Sequence, residues 1–486
     1  VNRSIPQVKK LRDAGAWRDH LAELGLDLPL VDDVAGPEGP LAAPLDLDLA
    51  GTRRTVANRF AVLPMEGWDG TTDGLPTDLV RRRWQRFGES GAALVWGGEA
   101  VAVDPAGRAN PNQLTVHTDA HGEALADLRA HLVAAHEAAG FDPAGLVVGL
   151  QLTHSGRFCR PTAEGMAPVI AGPHPILDPR LPAGRPVATI TDGQLDELTA
   201  AFAAAAVRAQ QAGFDFVDVK ACHGYLGHEL LGAVDRPGRF GGSFEGRTRF
   251  ARQTIEAVGA AAPGLGVGVR FSLYDFVPFR PGPDGTGEPE PLDGPYRHGF
   301  GGDGTGTGID LAEPKAFVDL LADLGVHLVC ATAGSPYYVP HIQRPAFFPP
   351  SDGYQPPEDP LVGVARMLAA TAELKAHRAD TVVVGSGFTY LQEWLPHVAE
   401  AVVAAGGADS VGIGRMVLSY PHLPADVLAG RELDRRLLCR TFSDCTTAPR
   451  NGLVSGCYPL DEHYKAMPER VQLAAAKKAI RTGARG

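Results

Sequence analysis

From Arg59 onward the chain repeats one pattern: an apolar run of five or six residues, a loop rich in glycine or polar residues, then a stretch whose apolar positions recur every three to four residues. Apolar runs that short, bounded by turn residues, predict buried strands, and the wider spacing predicts amphipathic helices that cover them. Eight runs fit, at residues 60–65, 93–97, 147–152, 216–220, 266–271, 327–332, 381–385 and 410–414. The helices show in Leu125, Leu128, Leu132 and Val133 before the third run, in Leu195, Leu198, Phe202 and Ala205 before the fourth, and in Phe317, Leu320, Leu321 and Leu324 before the sixth. Strands alternating with helices give an α/β fold, and eight units are the number that closes a (β/α)8 TIM barrel. An open doubly wound sheet is the alternative architecture.

Three segments stand outside the rhythm. Residues 1–50 read as an N-terminal helical arm, with Leu11, Trp17, Leu21 and Leu24 on one face of a helix predicted over residues 8–24. The barrel unit is expected over residues 51–430. Within it, residues 277–310 are dense in Gly and Pro, cannot hold a helix, and follow the fifth strand at its carboxyl end. That end of a barrel carries the active site, so the segment is expected as a lid or wall over it. Residues 431–486 form a C-terminal extension with a loop holding Cys439, Cys445 and Cys457.

Composition narrows function more than fold. A length of 486 residues suits roughly three average domains or one elaborated barrel, and a hydrophobic share of 44% supports a large core. The formal charge of -12 argues against nucleic acid or an anionic membrane as partner, which leaves a small-molecule substrate. A homo-oligomer is compatible with all of this. No apolar run approaches the roughly 18 residues of a membrane span, and VNRSIPQVKK lacks the apolar centre of a signal peptide, so the expected compartment is the cytoplasm. Six cysteines are too sparse for a disulfide scaffold, and Cys159, Cys222 and Cys330 are expected as free thiols.

Catalytic groups of a barrel come from the carboxyl ends of its strands, so the predicted strand ends can be read together. The fourth run continues into FDFVDVKACHGYLGHELL, which puts Lys220, His223 and Tyr225, three side chains able to donate hydrogen bonds or protons, within six residues. Pro64-Met65-Glu66 ends the first run and Gly97-Gly98-Glu99 the second. QLTHSGR after the third supplies Gln151, His154 and Arg157, and the fifth ends in Arg270. Gly385-Ser386-Gly387 and Gly412-Ile413-Gly414-Arg415 end the last two, where small residues let backbone N–H groups approach a phosphate. His341, in SPYYVPHIQRP after the sixth, is a candidate substrate contact. Each has a plainer reading in isolation: Tyr225 as a packed aromatic, Lys220 paired with Asp218 or Glu229, His154 and Arg157 as braces of their loop.

Read in order, NRFAVLPM, GGEAVAVDPAGR, QLTHSGR, CHGYLGHELL with RFGGSFEGRTRF, VGVRFS, and the paired GSG and GIGR resemble the old yellow enzyme family of FMN-dependent NADH:flavin oxidoreductases and ene-reductases. The resemblance covers roughly residues 50–425. It implies that Pro64 and Met65 line the flavin ring, with Gly98 and Gln151 at its pyrimidine edge and Arg270 beside the N1 and C2 carbonyl region. It further implies that Gly385, Ser386, Gly387, Gly414 and Arg415 surround the phosphate. NADH or NADPH would be the co-substrate. The implied reaction reduces an activated C=C bond of an unsaturated carbonyl compound, with hydride from flavin N5, the oxygen held by His223 and Lys220, and a proton from Tyr225. Alternatives are a flavin-dependent dehydrogenase or demethylase acting on an amine or alcohol, and, more distantly, an aldolase-like barrel forming a Schiff base on Lys220.

The chain departs from the family at three places. Lys220 stands where His is common, and Glu66 where a small Thr or Cys touches the flavin. Enlarged relatives of the dienoyl-CoA reductase and trimethylamine dehydrogenase branch bind an iron–sulfur cluster through four cysteines just after the barrel and carry further nucleotide-binding domains. Here CRTFSDC and Cys457 keep the outer pattern, but Phe442 replaces the second ligand, and the chain stops at Gly486. Packed thiols are the preferred reading over a cluster or a zinc site completed by His463.

Overall fold

The computed structural model describes residues 5–182 and 187–481, so residues 1–4 of the arm and 482–486 of the extension lie outside the described residues. Eight strands run Phe60–Val62, Leu94–Val95, Val147–Thr153, Phe216–Val219, Gly266–Ser272, Leu328–Thr332, Val382–Gly385 and Ser410–Ile413. Each pairs in parallel with the next, and the eighth pairs with the first through Val411 opposite Phe60, so the sheet closes. The closure decides for the TIM barrel over the open sheet.

The first two strands are shorter than the apolar runs predict. Pro64 has no N–H to donate, and Gly98 takes φ +49, which turns the chain out of the sheet. Past that turn Ala100–Ala102 pairs in parallel with the third strand, Ala100 opposite Gln151, as a ninth strand on the barrel wall.

Seven helices, Asp78–Gly88, Asp119–Ala138, Asp192–Gln211, Phe244–Ala261, Ala312–Asp323, Pro360–His377 and Leu395–Ala404, fill the crossovers. Their starts are written in the sequence. Thr77, Thr191 and Ser243 each accept a backbone N–H from the first turn, and Thr191 with Gln194 completes a capping box. Leu125, Leu128 and Leu132, and likewise Leu195, Leu198 and Phe202, are the buried faces the spacing predicts.

An antiparallel hairpin, Leu45–Leu49 with Thr52–Val56, closes the amino-terminal end of the barrel. Leu45, Leu47 and Leu49 point inward against Val147, Phe216 and Leu328, while Asp46 and Asp48 face solvent. The boundary expected at residue 50 therefore falls at the hairpin's turn. Ahead of it the arm helix is Ala14–Leu24, shorter than predicted because the Asp13 carboxylate caps it by accepting the Ala16 N–H at 2.9 Å. Trp17 is fully buried with its ring centroid 5.3 Å from that of Trp394.

Residues 277–310 hold no helix and carry a small hairpin, Phe279–Pro281 with Gly287–Pro289. The extension folds back onto the barrel through helices Asp444–Arg450, Glu462–Ala466 and Glu469–Arg481. Asp461 takes both guanidinium nitrogens of Arg82 at 2.9 Å, and the Ser443 hydroxyl donates to the Phe348 carbonyl at 2.6 Å. All six cysteines are free, and among the described residues no group of three or more His, Cys, Asp or Glu side chains is arranged to hold a metal ion. Among the same residues no helix is long and apolar enough to cross a membrane.

Candidate active site

Alternate residues of a barrel strand face its interior. On the fourth strand these are Phe216, Asp218 and, just past its end, Lys220, which form three successive levels from floor to mouth. Phe216 fits because Gly149 and Gly266 leave it room: a Cβ on Gly149 would lie 2.3 Å from its ring, and one on Gly266 3.0 Å from its Cβ. One level up, the Asp218 carboxylate accepts from the Trp96 indole at 2.7 Å, the Gln151 amide at 2.5 Å and the Arg270 backbone N–H at 2.7 Å. Burial pushes its pKa up, and these donors and the Arg270 charge oppose that. Asp218 thus fixes Gln151 and the backbone of Arg270 beneath the mouth.

Above this level opens a cleft that, counted out to solvent, encloses about 1310 Å³ and is lined by Pro64, Met65, Gln151, Lys220, His223, Tyr225, Arg270, Ser386, Gly387, Gly414 and Arg415. These residues come from six of the eight strand ends. Three expected members are elsewhere. Gly98 packs under Trp84, whose ring would lie 2.7 Å from a Cβ there, and Gly385 lies behind Gly412, a Cβ on which would meet the Gly385 carbonyl at 2.5 Å. His341 is buried beside Phe279 with its Nδ1 2.7 Å from the Tyr354 hydroxyl, and burial pushes its pKa down to about 3. His154 and Arg157 brace their loop: His154 Nδ1 accepts the Gly156 N–H, and Arg157 is paired with Glu229 and Asp178.

The three donors of the fourth strand end do converge. Lys220 Nζ stands 3.9 Å from the centroid of the Tyr225 ring, and burial lowers its pKa, with Glu66 among the charges that oppose the shift. Neither Asp218 nor Glu229 forms an ion pair with it; Glu229 is taken by Arg157. His223 takes φ +66, a left-handed conformation that costs a non-glycine residue about 1–3 kcal/mol. Two serines hold it there: the His223 N–H donates to Ser272 Oγ at 3.3 Å, and its carbonyl accepts from Ser335 Oγ at 2.9 Å. Its Nε2 lies 3.3 Å from Thr332 Oγ1 and 3.1 Å from Gln343 Nε2. Burial, with Arg270 and Lys220 nearby, drives the imidazole well below its usual pKa, so it is neutral. The Tyr225 hydroxyl donates to Glu66 Oε2 at 2.7 Å and lies 3.1 Å from the Tyr337 hydroxyl. Burial raises the Tyr225 pKa well above its usual value, and Glu66 and Tyr337 add to the shift.

The other end of the cleft is cationic. Arg344 donates to Thr446 Oγ1 at 2.5 Å and Arg415 to the Pro345 carbonyl at 2.9 Å. Arg344 Nε and Nη2 and Arg415 Nη1 are buried with no protein acceptor. Burial, together with Arg415 and Arg450, pushes the Arg344 pKa down to about 10. Gly414 beside them has open space on its Cβ side. Unpartnered buried guanidinium N–H groups around open glycine backbone are what an anionic phosphate requires.

Sequence reasoning missed much of one wall. Tyr337, Gln343 and Arg344 from the loop after the sixth strand, and Cys445, Thr446 and Arg450 from the extension, line the cleft, while no residue of 277–310 does. The inward period of the sixth strand, Leu328, Cys330, Thr332, would have pointed to Thr332; nothing local pointed to the extension.

Residues 41–284 match the NADH:flavin oxidoreductase / NADH oxidase family. The NADPH dehydrogenase of Bacillus velezensis is 28% identical over 374 residues, 76% of this chain and 89% of that protein. Among solved structures, a 2-naphthoyl-CoA reductase complex superposes with a TM-score of 0.63 at 18% identity, covering 87% of this chain, which spans 57% of the reductase. The old yellow enzyme homologue of Zymomonas mobilis superposes with a TM-score of 0.53 at 21% identity, covering 81% of this chain and 93% of its own. At such identities these two structures speak for the fold, whereas the match over half the chain speaks for the family. The chain belongs to the NADH:flavin oxidoreductase / NADH oxidase family of FMN-dependent NAD(P)H oxidoreductases.

Proposed function

We propose that the protein uses NADH or NADPH to reduce the activated double bond of an unsaturated carbonyl compound. The observation that carries this is the meeting of Lys220, His223 and Tyr225 in the cleft that Gln151 and Arg270 also line. FMN, when bound, supplies hydride transfer between the nicotinamide and the substrate. Pro64, Met65, Gln151 and Arg270 would hold its ring, and Ser386, Gly387, Gly414, Arg415 and Arg344 its phosphate, which the unpartnered N–H groups of the arginines support.

Lys220 and His223 bind the carbonyl oxygen of the substrate. Negative charge that grows on this oxygen meets donors already in place, in a cleft where low dielectric strengthens them. Lys220 carries the charge and the neutral His223 gives a hydrogen bond. Tyr225 holds the proton destined for the α-carbon, and its raised pKa keeps it protonated at neutral pH, as a general acid must be. The Lys220 ammonium in the cleft repels a cationic amine, which favours this reading over amine oxidation. Family membership favours flavin chemistry over a Schiff base on Lys220. The net charge of -12 and six free cysteines support a small-molecule substrate and a reducing, cytoplasmic setting.

The purified protein is expected to be yellow, to release FMN on denaturation, and to convert an enone to the saturated ketone with NADH or NADPH, read by chromatography. Tyr225→Phe should leave the nicotinamide-dependent bleaching intact and slow the enone-dependent recovery of colour by about 10²–10⁴-fold. Recovery at the wild-type rate in that variant, or a colourless wild-type protein, overturns the proposal.

A further inference from the structure

Tyr225 is 4% exposed, yet after each proton transfer it must be reprotonated. Its hydroxyl has two hydrogen-bond neighbours, Glu66 Oε2 at 2.7 Å and the Tyr337 hydroxyl at 3.1 Å. The other Glu66 oxygen accepts from Asn110 Nδ2 at 3.3 Å, and Glu66 itself lines the cleft. A carboxyl group is a far stronger acid than a phenol, so Glu66, at the shorter contact, resupplies a phenolate more readily than Tyr337, whose pKa burial pushes up to about 12. We infer that Glu66 is the proton relay that recharges Tyr225, an inference that rests on the role proposed above for Tyr225.

The step balances without any added reactant. The Tyr225 O–H bond breaks as a C–H bond forms on the substrate, leaving a phenolate. Glu66, which accepts from Tyr225 before the transfer, then takes up a proton from water, and its carboxyl O–H bond breaks as the Tyr225 O–H bond re-forms across the same 2.7 Å contact, now with Glu66 donating. The two electrons arrive as hydride from the nicotinamide, and one solvent proton is consumed for each double bond reduced.

The surroundings of Glu66 suit this task. Lys220 from the fourth strand end, Tyr225 just after it, Tyr337 from the loop after the sixth strand, and Arg450 from the extension all face it, with Asn110 completing the shell. Behind it the Gly67 N–H donates to Glu99, whose carboxylate is paired with Arg83, itself paired with Asp69. Burial raises the Glu66 pKa, while Lys220, Tyr225, Asn110 and Arg450 oppose the rise. The carboxyl therefore keeps its proton more readily than a surface glutamate, and the carboxylate left after transfer is stabilised by two cations until it is reloaded.

A glutamate that merely positioned the Tyr225 ring would give the same contact, so the test needs a readout that positioning does not move. Glu66→Gln keeps the shape and the hydrogen bond but has no acidic proton. It is expected to slow enone-dependent recovery about tenfold or more, and to remove one alkaline limb of the pH profile of that step, because the protonated fraction of Glu66 falls as pH rises through its pKa. Glu66→Ala opens space beside the hydroxyl, and added acetate is expected to restore its rate in proportion to the acetic acid present. FMN content and melting temperature verify that both variants fold. Wild-type rate and pH profile in Glu66→Gln, or a folded Glu66→Ala that ignores acetate, overturn the relay. Wild-type recovery in Tyr225→Phe overturns the Tyr225 role instead, so the two failures are distinguishable.

Discussion

Arg344 gives a prediction in which two measurements move in opposite directions. Its Nε and Nη2 are buried without acceptors, and its pKa is pushed down to about 10 by burial and by Arg415 and Arg450. For a cation, a folded pKa below the unfolded value is a penalty on the charged form, fully present at neutral pH and relieved only as pH rises past the folded pKa. At about 1.4 kcal/mol per pKa unit, Arg344 costs the cofactor-free protein roughly 2–4 kcal/mol. Arg344→Met, of similar volume, removes that cost and gives up the charge-assisted hydrogen bond to Thr446, worth about 1.5–3 kcal/mol, a range centred below the cost removed. The cofactor-free variant should therefore melt at a higher temperature than wild type. With the phosphate bound, Arg344 makes charge-assisted hydrogen bonds worth about 1.5–3 kcal/mol, so the variant should bind FMN about 10- to 150-fold more weakly. Riboflavin, which has no phosphate, provides the control: its Kd, read by fluorescence quenching, should be unchanged. A lower melting temperature for the cofactor-free variant, or equal weakening for FMN and riboflavin, would refute the assignment of Arg344 to the phosphate.

Two other substitutions address the levels of the barrel. Lys220→Met should lower kcat/KM for an enone through loss of the charge on the carbonyl oxygen. Because burial lowers the Lys220 pKa, wild type should lose activity as pH rises through it, and this alkaline limb should vanish in Lys220→Met yet persist in Glu66→Gln. A limb that persists in both variants belongs to neither group. Phe216→Ala should destabilise by about 3–5 kcal/mol in chemical denaturation, since Gly149 and Gly268, which face the ring, have no side chains to fill the cavity. A loss under about 1 kcal/mol would mean that the floor collapses around the gap.

Much of the barrel was legible because strand and helix periods are local. The eight apolar runs became the eight strands, and Thr77, Thr191 and Ser243 begin helices as their residue types suggest. Alternation carried the site as well: Phe216, Asp218 and Lys220 rise in order from floor to mouth, and Gln151 and Arg270 meet Asp218 from neighbouring strands. Where local reading failed, burial or distant chain intervened. His341 follows a strand end yet is drawn into contact with Phe279 and Tyr354. The wall expected from residues 277–310 is built instead by the loop after the sixth strand and the extension.

By itself the sequence determined the repeating unit, cleft residues at six of the eight strand ends, and the resemblance that named a flavin, because each of these is written within a few neighbouring positions. Only the tertiary structure decided which groups from remote stretches meet. Closing the barrel sets Glu66 against Tyr225 across 159 residues of chain, and folding back the extension sets Thr446 against Arg344 across 102. Such pairings are fixed by the burial and ring closure of the whole molecule, and no local period encodes them.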